Sequence, residues 1–325
     1  TPPMKTFPHL QAACVALVAS LVGQAPMHAQ QDVLTGQYLF NTTLVNPAAA
    51  GSAGHWQTIA MRRIQWAAFE GGAPSTSILS GHGLVSDPSL GVGATVAVDA
   101  IGINSTFEFA SQGAYHMGVG SDIQLSFGLR GGLMQYRSQL ALADVIDPAD
   151  PLYQGTQLSA WIPRFGCGLM VRHPAWDAGI SAPTLFVVDN ALDGTITSFY
   201  RNHLYAHAGY HASVTPWLTL HPSVLFRSTP DVPSILDVNL LAEFTGVASV
   251  GVGWRVANSL TAITQFQITE ELRIGYTAEF AATDIQRVAG GTHEVVLLWD
   301  FGKTSASNPS NFGAIRAELS ALQRR

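Results

Sequence analysis

The sequence predicts an all-β fold, a transmembrane outer-membrane β-barrel of about 14 antiparallel strands. Apolar and polar residues alternate along most of the chain, in segments of about eleven residues, the length that a tilted strand needs to cross a bilayer. Charged side chains are scarce, at 12% of 325 residues, against about a quarter in soluble domains. A net charge of −6 without a basic cluster argues against nucleic acid as a partner.

The first 29 residues are typical of a secretory signal peptide. Met4 and Lys5 form a short positive region, Leu10 to Val22 are mostly apolar, and cleavage is expected before Gln30. Residues 1–3 are expected to lie upstream of the true start, because Met4 begins the pattern. Cleavage would leave Cys167 as the sole cysteine, so we expect no disulfide framework.

The alternation is clearest from Ile123 to Met134, where odd positions are mostly apolar and even positions are small or polar. Successive side chains of a strand point to opposite faces, so such a strand has one apolar and one wetter face. Helical spacing would mix the two sets, so a helix is not expected. Strands are expected near 55–66, 74–84, 89–99, 106–118, 121–136, 160–173, 176–183, 201–214, 217–229, 234–245, 247–257, 259–269, 271–281 and 291–301.

The connections between these segments differ in length. Val119–Gly120 and Thr215–Pro216 are short links, whereas 137–159 and 184–200 are long. Short turns on one side and longer loops on the other are typical of outer-membrane barrels. A secreted β-sandwich also alternates and is the alternative. The few charges, the strand lengths and the even strand count favour the barrel.

The sequence contains no motif of a known catalytic or cofactor site, since G-x-S-x-G, H-E-x-x-H, P-loop and C-x-x-C patterns are all missing. We therefore expect no enzyme activity, no cofactor and no metal. A row of histidines shares one strand face, but residues four apart on a strand are about 13 Å apart, too far to bind one ion. The row comprises His203, His207 and His211.

Two other features have ordinary structural explanations. The aspartates of one loop could bind calcium, but Pro-Asp turn chemistry explains them equally well; they are Asp144, Asp147 and Asp150. Paired glycines on strand positions are expected to thin the inward face, so that a backbone or a plug can approach closely. These pairs are Gly91/Gly93, Gly166/Gly168 and Gly251/Gly253.

An ordered series of motifs resembles the PorP/SprF family of outer-membrane proteins, which are attached to the type IX secretion system. It starts with the run Gln37-Tyr38-Leu39-Phe40-Asn41 and continues to Asn46-Pro47-Ala48-Ala49-Ala50-Gly51. Next come Arg62-Arg63-Ile64-Gln65-Trp66, Phe69 to Pro74, and Gly81-His82-Gly83. Later matches extend the resemblance to about residue 301. Thr42 departs from it, because many members have proline there, and so does the doubled Gly71-Gly72.

The resemblance implies a non-catalytic accessory protein in the bacterial outer membrane. Its implied partners are a periplasmic lipoprotein of the secretion machinery, outer-membrane lipid, and a secreted cargo or adhesin with a C-terminal sorting domain. Some family members serve gliding adhesins. The alternative is an outer-membrane pore or transporter for small solutes, since plugged and open barrels both have polar lumens. Expected inward-facing charges are Arg130, Arg164, Arg227, Arg255, Arg273, Asp237, Glu243 and Glu279.

Outside the barrel, expected at 55–301, the sequence predicts two further segments. Residues 30–54 are too irregular to span a membrane and are expected to form a plug or lid, or alternatively a docking surface for another component. Residues 302–325 are expected to be a frayed tail or a partner-docking helix, with Ile315, Leu319 and Leu322 at helical spacing. Candidate partner or plug residues are Gln37, Tyr38, Phe40, Asn41, Asn46, Pro47, Gly51, Gln65 and Trp66.

Overall fold

The computed structural model of the chain describes residues 35–69, 72–85, 89–120, 122–139, 157–187, 202–230, 232–282 and 290–302. The expected signal peptide, the aspartates of the 137–159 loop and nearly all of the expected tail lie outside these residues. None of the helices in the described ranges is long and apolar enough to cross a membrane.

Within the described ranges, fifteen β-strands form a single antiparallel sheet that makes fourteen crossings. The eighth and ninth strands are two parts of one crossing, separated only by His211. The strands are β1 Trp56–Ile64, β2 Ser75–Leu84, β3 Leu90–Ile101, β4 Asn104–Val119, β5 Ile123–Gln139, β6 Gln157–His173, β7 Trp176–Val187, β8 His203–Tyr210, β9 Ala212–Thr215, β10 Leu218–Thr229, β11 Val232–Phe244, β12 Ala248–Arg255, β13 Ser259–Gln267, β14 Leu272–Ala281 and β15 Thr292–Phe301.

The sheet closes on itself through its first and last strands. β1 pairs with β15 in one continuous register, from Trp56↔Phe301 to Ile64↔His293. Each remaining crossing pairs with the one before it and the one after it in the chain. The fold is therefore a closed antiparallel barrel of fourteen strands, which confirms the predicted fold class.

The two faces of the barrel differ as the alternation predicts. On β5, Phe127 and Leu129 are exposed on the outer surface, while Ser126 and Gly128 between them are buried towards the lumen. Exposed tryptophans near the ends of several strands follow the apolar outer face. They are Trp56, Trp161, Trp176, Trp217, Trp254 and Trp299.

The two ends of the barrel differ in their connections. The strand ends that flank the four longest connections, 65–74, 140–156, 188–202 and 282–291, all lie at one end of the barrel, named here the loop end. The opposite turn end carries short links such as 174–175 and 245–247, together with the start of β1 and the end of β15.

Several strand bounds differ from the predicted ones. β5 continues to Gln139 and β6 begins at Gln157, because the polar residues beyond the expected ends still pair, as in Gln139↔Gln157. The expected strand at 201–214 is divided at His211, although the His211 N–H still donates to the Ala175 carbonyl at 2.7 Å, in the register of Trp176↔Tyr210. On β10, Pro222 lies between the residues that pair with Gly209 and Ala212, and it has no N–H to donate. Polar composition marks where the apolar surface ends, but not where backbone pairing ends.

Ahead of β1, three short 3₁₀ helices occupy Gly36–Leu39, Thr42–Leu44 and Pro47–Ala49. Asn41 begins the second, its side-chain oxygen accepting a hydrogen bond from the Thr43 N–H at 3.2 Å. Asn46 begins the third in the same way, through the Ala48 N–H at 3.0 Å, and Pro47 occupies the first helical position. Asparagine is a preferred cap, and proline suits this position because its missing N–H has no helical partner there.

Candidate functional site

Residues 35–51, named here the lumen segment, run around the inside of the barrel wall. Starting from Gly51, which lies against β3, the segment passes Ala48 on β5 and Val45 on β7. It continues to Tyr38, bonded to β11, and ends at Gly36, bonded to β15. Followed in chain direction, from Gly36 to Gly51, the segment therefore passes from β15 to β3, against the order of the strands. It contacts most of the circumference.

The wall carries glycines where the later half of the segment, Val45 to Gly51, passes. A Cβ atom at Gly91 of β3 would lie 2.0 Å from the Ala50 carbonyl oxygen. A Cβ atom at Gly128 of β5 would lie 2.2 Å from the Ala48 nitrogen. Real atoms cannot approach so closely, so any larger residue at these positions would displace the segment backbone.

Asn46 enters a similar gap between β6 and β7. A Cβ atom at Gly168 would lie 2.0 Å from its side-chain oxygen, and one at Gly179 would lie 2.7 Å from its side-chain nitrogen. The Asn46 amide donates to the Leu169 carbonyl at 3.0 Å while its oxygen caps the following helix. One fully buried side chain therefore holds the segment's own fold and joins it to the wall.

Two wall side chains bond the backbone of the same half. The Ser181 hydroxyl of β7 donates to the Val45 carbonyl at 2.6 Å. His116 of β4 lies 2.8 Å from the Ala50 carbonyl through Nε2 and 2.7 Å from the Ser126 hydroxyl through Nδ1. These bonds satisfy carbonyls that would otherwise be buried without partners.

The earlier half of the segment, Gly36 to Asn41, is held by hydrogen bonds to side chains of the wall, some of them charged. The Gln37 amide donates to the Thr277 hydroxyl at 2.5 Å, and the Asn239 amide donates to the Tyr38 hydroxyl at 2.7 Å. Burial, followed by the Asp237 carboxylate, raises the pKa of the Tyr38 phenol well above its usual range. The Tyr38 hydroxyl therefore keeps its own hydrogen while its oxygen accepts from the Asn239 amide.

A row of alternating charges begins at the Gly36 end of the segment. The Gly36 N–H donates to both carboxylate oxygens of Glu294, at 3.2 and 3.1 Å, and Arg63 bonds the same carboxylate. Arg63 also pairs with Glu279 at 3.2 Å, and Glu279 pairs with Arg255 at 2.8 Å. Buried charges persist only when paired, so this row ties the segment to β15, β1, β14 and β12.

Apolar contacts fill the space between these bonds. Tyr38 and Val45 of the segment form one buried cluster with Tyr205 and Leu225 of the wall. Phe40 packs against a second cluster, formed by Ile59, Met61, Val296 and Leu298 of β1 and β15.

Two cavities lie inside the barrel, on either side of the segment. The loop-end cavity has a volume of about 150 Å³ and is lined by groups such as Asp99, Glu108 and Arg130. The turn-end cavity has a volume of about 370 Å³ and reaches the 245–247 turn. Tyr38 and Val45 line both cavities, so these two residues lie at the boundary between the two spaces.

The structure separates the nine candidate residues into two groups. Gln37, Tyr38, Phe40, Asn41, Asn46, Pro47 and Gly51 all lie in the lumen segment, buried except for the half-buried Phe40. Gln65 and Trp66 lie at the loop end, across the length of β1 from the start of that strand. There the Gln65 N–H donates to the Pro74 carbonyl at 2.8 Å, and Trp66 adopts φ 55°.

Sequence reasoning missed most of the wall residues that hold the segment. Of its paired glycines, Gly91 and Gly168 meet the segment, but Gly128 and Gly179 stand outside any G-x-G pair. The sequence does indicate these two positions, since both are glycines on the inward face of an alternating strand. The sequence does not indicate that Glu294 contacts the segment, because its partner Gly36 is 258 positions away.

Charged side chains in the lumen form ion pairs with one another. Arg130 and Arg164 both pair with Glu108, at 2.6 and 2.7 Å, and Arg273 pairs with Asp300 at 2.8 Å. Within the described ranges, no three His, Cys, Asp or Glu side chains are arranged around one ion position.

Comparison with known proteins gives one family and a set of barrels. The family described as type IX secretion system membrane protein PorP/SprF matches residues 27–299. No curated protein sequence matches the chain.

Among solved structures, the Acinetobacter baumannii outer membrane protein Omp33 has a TM-score of 0.47 at 9% identity, over 76% of this chain and 98% of that one. The Ralstonia pickettii toluene transporter TbuX has a TM-score of 0.45 at 10% identity, over 87% and 99%. A Pseudomonas aeruginosa FadL homologue has 0.44 at 12% identity, over 79% and 93%.

Proposed function

The chain belongs to the PorP/SprF family of type IX secretion system membrane proteins, and from this membership we propose that it is a non-catalytic accessory of that system in the bacterial outer membrane. It binds a periplasmic lipoprotein of the machinery and helps to export or anchor a cargo or adhesin with a C-terminal sorting domain. The family match over 27–299 is the observation that carries the proposal. A closed barrel suits this role, since it leaves turns and loops on two faces for partners.

We further propose that the lumen segment is a plug. Its side chains Tyr38 and Val45 lie between the two cavities, which supports a barrier to solutes. The nearly complete burial of the segment argues against the alternative, a docking surface, because a partner could reach it only after the segment leaves the lumen. The turn 52–54 is more accessible, with Ala53 and Gly54 exposed.

The accessory role is tested by affinity purification of the tagged protein from detergent-solubilised outer membranes, with mass spectrometry of the proteins that copurify. A tagged outer-membrane barrel from outside the family, purified in parallel, is the control. We expect a periplasmic lipoprotein and a large secreted protein with a C-terminal sorting domain, both missing from the control. Recovery of the barrel alone would contradict the proposal.

The plug is tested by conductance in planar lipid bilayers. We expect the full chain to give no steady channel and a variant lacking residues 36–50 to conduct, because the two cavities would then join. Steady conductance by the full chain would favour the alternative function, a pore for small solutes. A closed deletion variant with a native far-ultraviolet circular dichroism spectrum would show that the segment is not the barrier.

A further inference from the structure

Four side chains form a hydrogen-bonded row at the turn end of the barrel, in the wall of the turn-end cavity. In the middle of the row, His211 Nδ1 lies 2.6 Å from His221 Nδ1. On either side, His211 Nε2 lies 3.0 Å from an oxygen of Asp177 and His221 Nε2 lies 2.9 Å from an oxygen of Glu243. The row joins β7, the β8–β9 break, β10 and β11.

The register of the strands brings this row together. On β10, Ser223 pairs with Gly209 of β8 and Leu220 pairs with Ala212 of β9 in one register, so His221 lies opposite His211. The His211 side chain meets the His221 ring at a centroid distance of 4.7 Å and an interplanar angle of 81°. The opposed positions of the two residues on neighbouring strands therefore place the two rings edge to face.

The pairing of the ring nitrogens is the one that metal-binding histidines use. A histidine that ligates a metal through one nitrogen usually donates its other N–H to a carboxylate, which fixes the ring and its tautomer. Here both Nε2 atoms face carboxylates, and both Nδ1 atoms face the same point. A hydrogen bond between the two Nδ1 atoms uses one hydrogen, whereas a metal ion at that point would use a lone pair from each.

We propose that His211 and His221 bind a divalent transition-metal ion through their Nδ1 atoms, with Asp177 and Glu243 orienting the rings. Imidazole nitrogen suits zinc, copper and nickel. Tetrahedral ligands about 2.0–2.1 Å from zinc are about 3.3 Å apart, so the rings must separate by less than about 1 Å. With two protein ligands, water completes the coordination.

The surroundings suit such an ion. The His211 and His221 side chains are 39% and 20% exposed, and the adjoining cavity of about 370 Å³ has room for ligand water. The two carboxylates offset the charge of a divalent ion. Charged or titratable groups near the row include His207, 3.8 Å from the second oxygen of Asp177, and Arg172 on β6. Arg273 and Tyr210 line the same cavity, and His173 bonds the Ala175 N–H.

The test uses the full chain, purified in detergent with a tag that contains no histidine and stripped of metal with EDTA. Calorimetric titration with zinc chloride is expected to give one zinc ion per chain, and zinc-edge X-ray absorption to show two imidazole nitrogens. His211→Ala and His221→Ala should each weaken binding at least about tenfold. Asp177→Asn and Glu243→Gln should each weaken it about 10–100-fold, the usual effect of losing such a carboxylate.

His293→Ala is the matched control, because His293 is bonded to Tyr276 at the loop end, and zinc binding by this variant should be unchanged. Binding well below one ion per chain would overturn the proposal. Zinc affinity in both alanine variants equal to that of the unchanged chain would also overturn it. So would a zinc-edge spectrum without imidazole ligands. If an alanine variant does not fold, the two carboxylate variants decide the question, because unchanged zinc binding in both contradicts the proposed site.

Discussion

The two halves of the lumen segment meet the barrel wall by different means. From Val45 to Gly51 the segment backbone lies against glycines, where a Cβ atom would clash at 2.0–2.2 Å. From Gly36 to Asn41 it is held by side-chain hydrogen bonds and by the carboxylate of Glu294. The later half has side-chain bonds as well, but it also needs wall positions that carry no side chain, whereas the earlier half depends on side-chain bonds.

This difference predicts different responses to substitution. An added group in the later half cannot be accommodated, because its neighbours are backbone atoms on both sides. A lost group in the earlier half leaves other bonds in place, so each loss is partial. The following substitutions test the contrast, beginning with the largest expected effect.

Gly128→Val should expel the later half of the segment. Its Cβ would lie 2.2 Å from the Ala48 nitrogen, and overpacking of this kind costs about 1–3 kcal/mol or more. We expect faster amide hydrogen exchange across residues 45–51 and conductance in planar bilayers. Gly118→Val is the matched control on β4, because a Cβ atom there would meet nothing within 4 Å. Equal exchange in the two variants would contradict close packing at Gly128.

Glu294→Gln should loosen the earlier half. The charged partner of the Gly36 N–H and of Arg63 is replaced by a neutral amide, and hydrogen bonds to charged groups contribute about 1.5–3 kcal/mol. Hydrogen exchange of residues 36–40 should accelerate while that of residues 45–51 is unchanged. Glu271→Gln, in the exposed turn before β14, is the control. Uniform acceleration over the whole segment would show that the halves are not independent.

Asn46→Ala should act near the start of the later half. It removes the cap of the third 3₁₀ helix and the bond to the Leu169 carbonyl, and loss of such a cap costs about 0.5–2 kcal/mol. Asn46→Asp keeps an oxygen for the cap but loses the donor to Leu169. Exchange of the Ala48 amide should therefore rise more in the alanine variant than in the aspartate variant. Equal exchange in the two variants would assign the main role to the Leu169 bond, because both variants lose it.

Tyr38→Phe should have the smallest effect. It removes only the hydroxyl that accepts from the Asn239 amide and keeps the ring between the two cavities. We expect a loss of about 0.5–1.5 kcal/mol, seen as faster exchange at residues 37–39, with the barrel still closed to ions. Tyr38→Ala removes the ring and should therefore let ions pass through the barrel. If the phenylalanine variant conducts as well, the barrier depends on the hydroxyl and not on the ring.

The barrel could be predicted from the sequence because its signal is local. Ser126, Phe127 and Gly128 alternate within three positions, and the same period repeats in every crossing. Strand ends were less certain, because pairing at Gln139 and Gln157 depends on the partner strand and not on apolar content.

The placement of the lumen segment could not be predicted in the same way. Gln37, Asn41 and Asn46 are polar, and polar residues are mostly exposed in folded proteins. They are buried here because each finds a partner, such as Thr277 for Gln37, on a strand distant in sequence. Gln65 was grouped with them by motif order, but one strand length separates it from the start of β1. Motif order does not encode depth in a barrel.

The bond between Gly36 and Glu294 also bears on folding. Its partners are separated by 258 positions, and contacts of such long range slow folding, because a large loop must close before they form. Glu294 lies on the strand that pairs with β1, so its carboxylate reaches its final place only when the ring of strands is complete. Docking of residues 36–40 should therefore be among the last events of folding, which makes exchange protection there a kinetic marker of finished barrels.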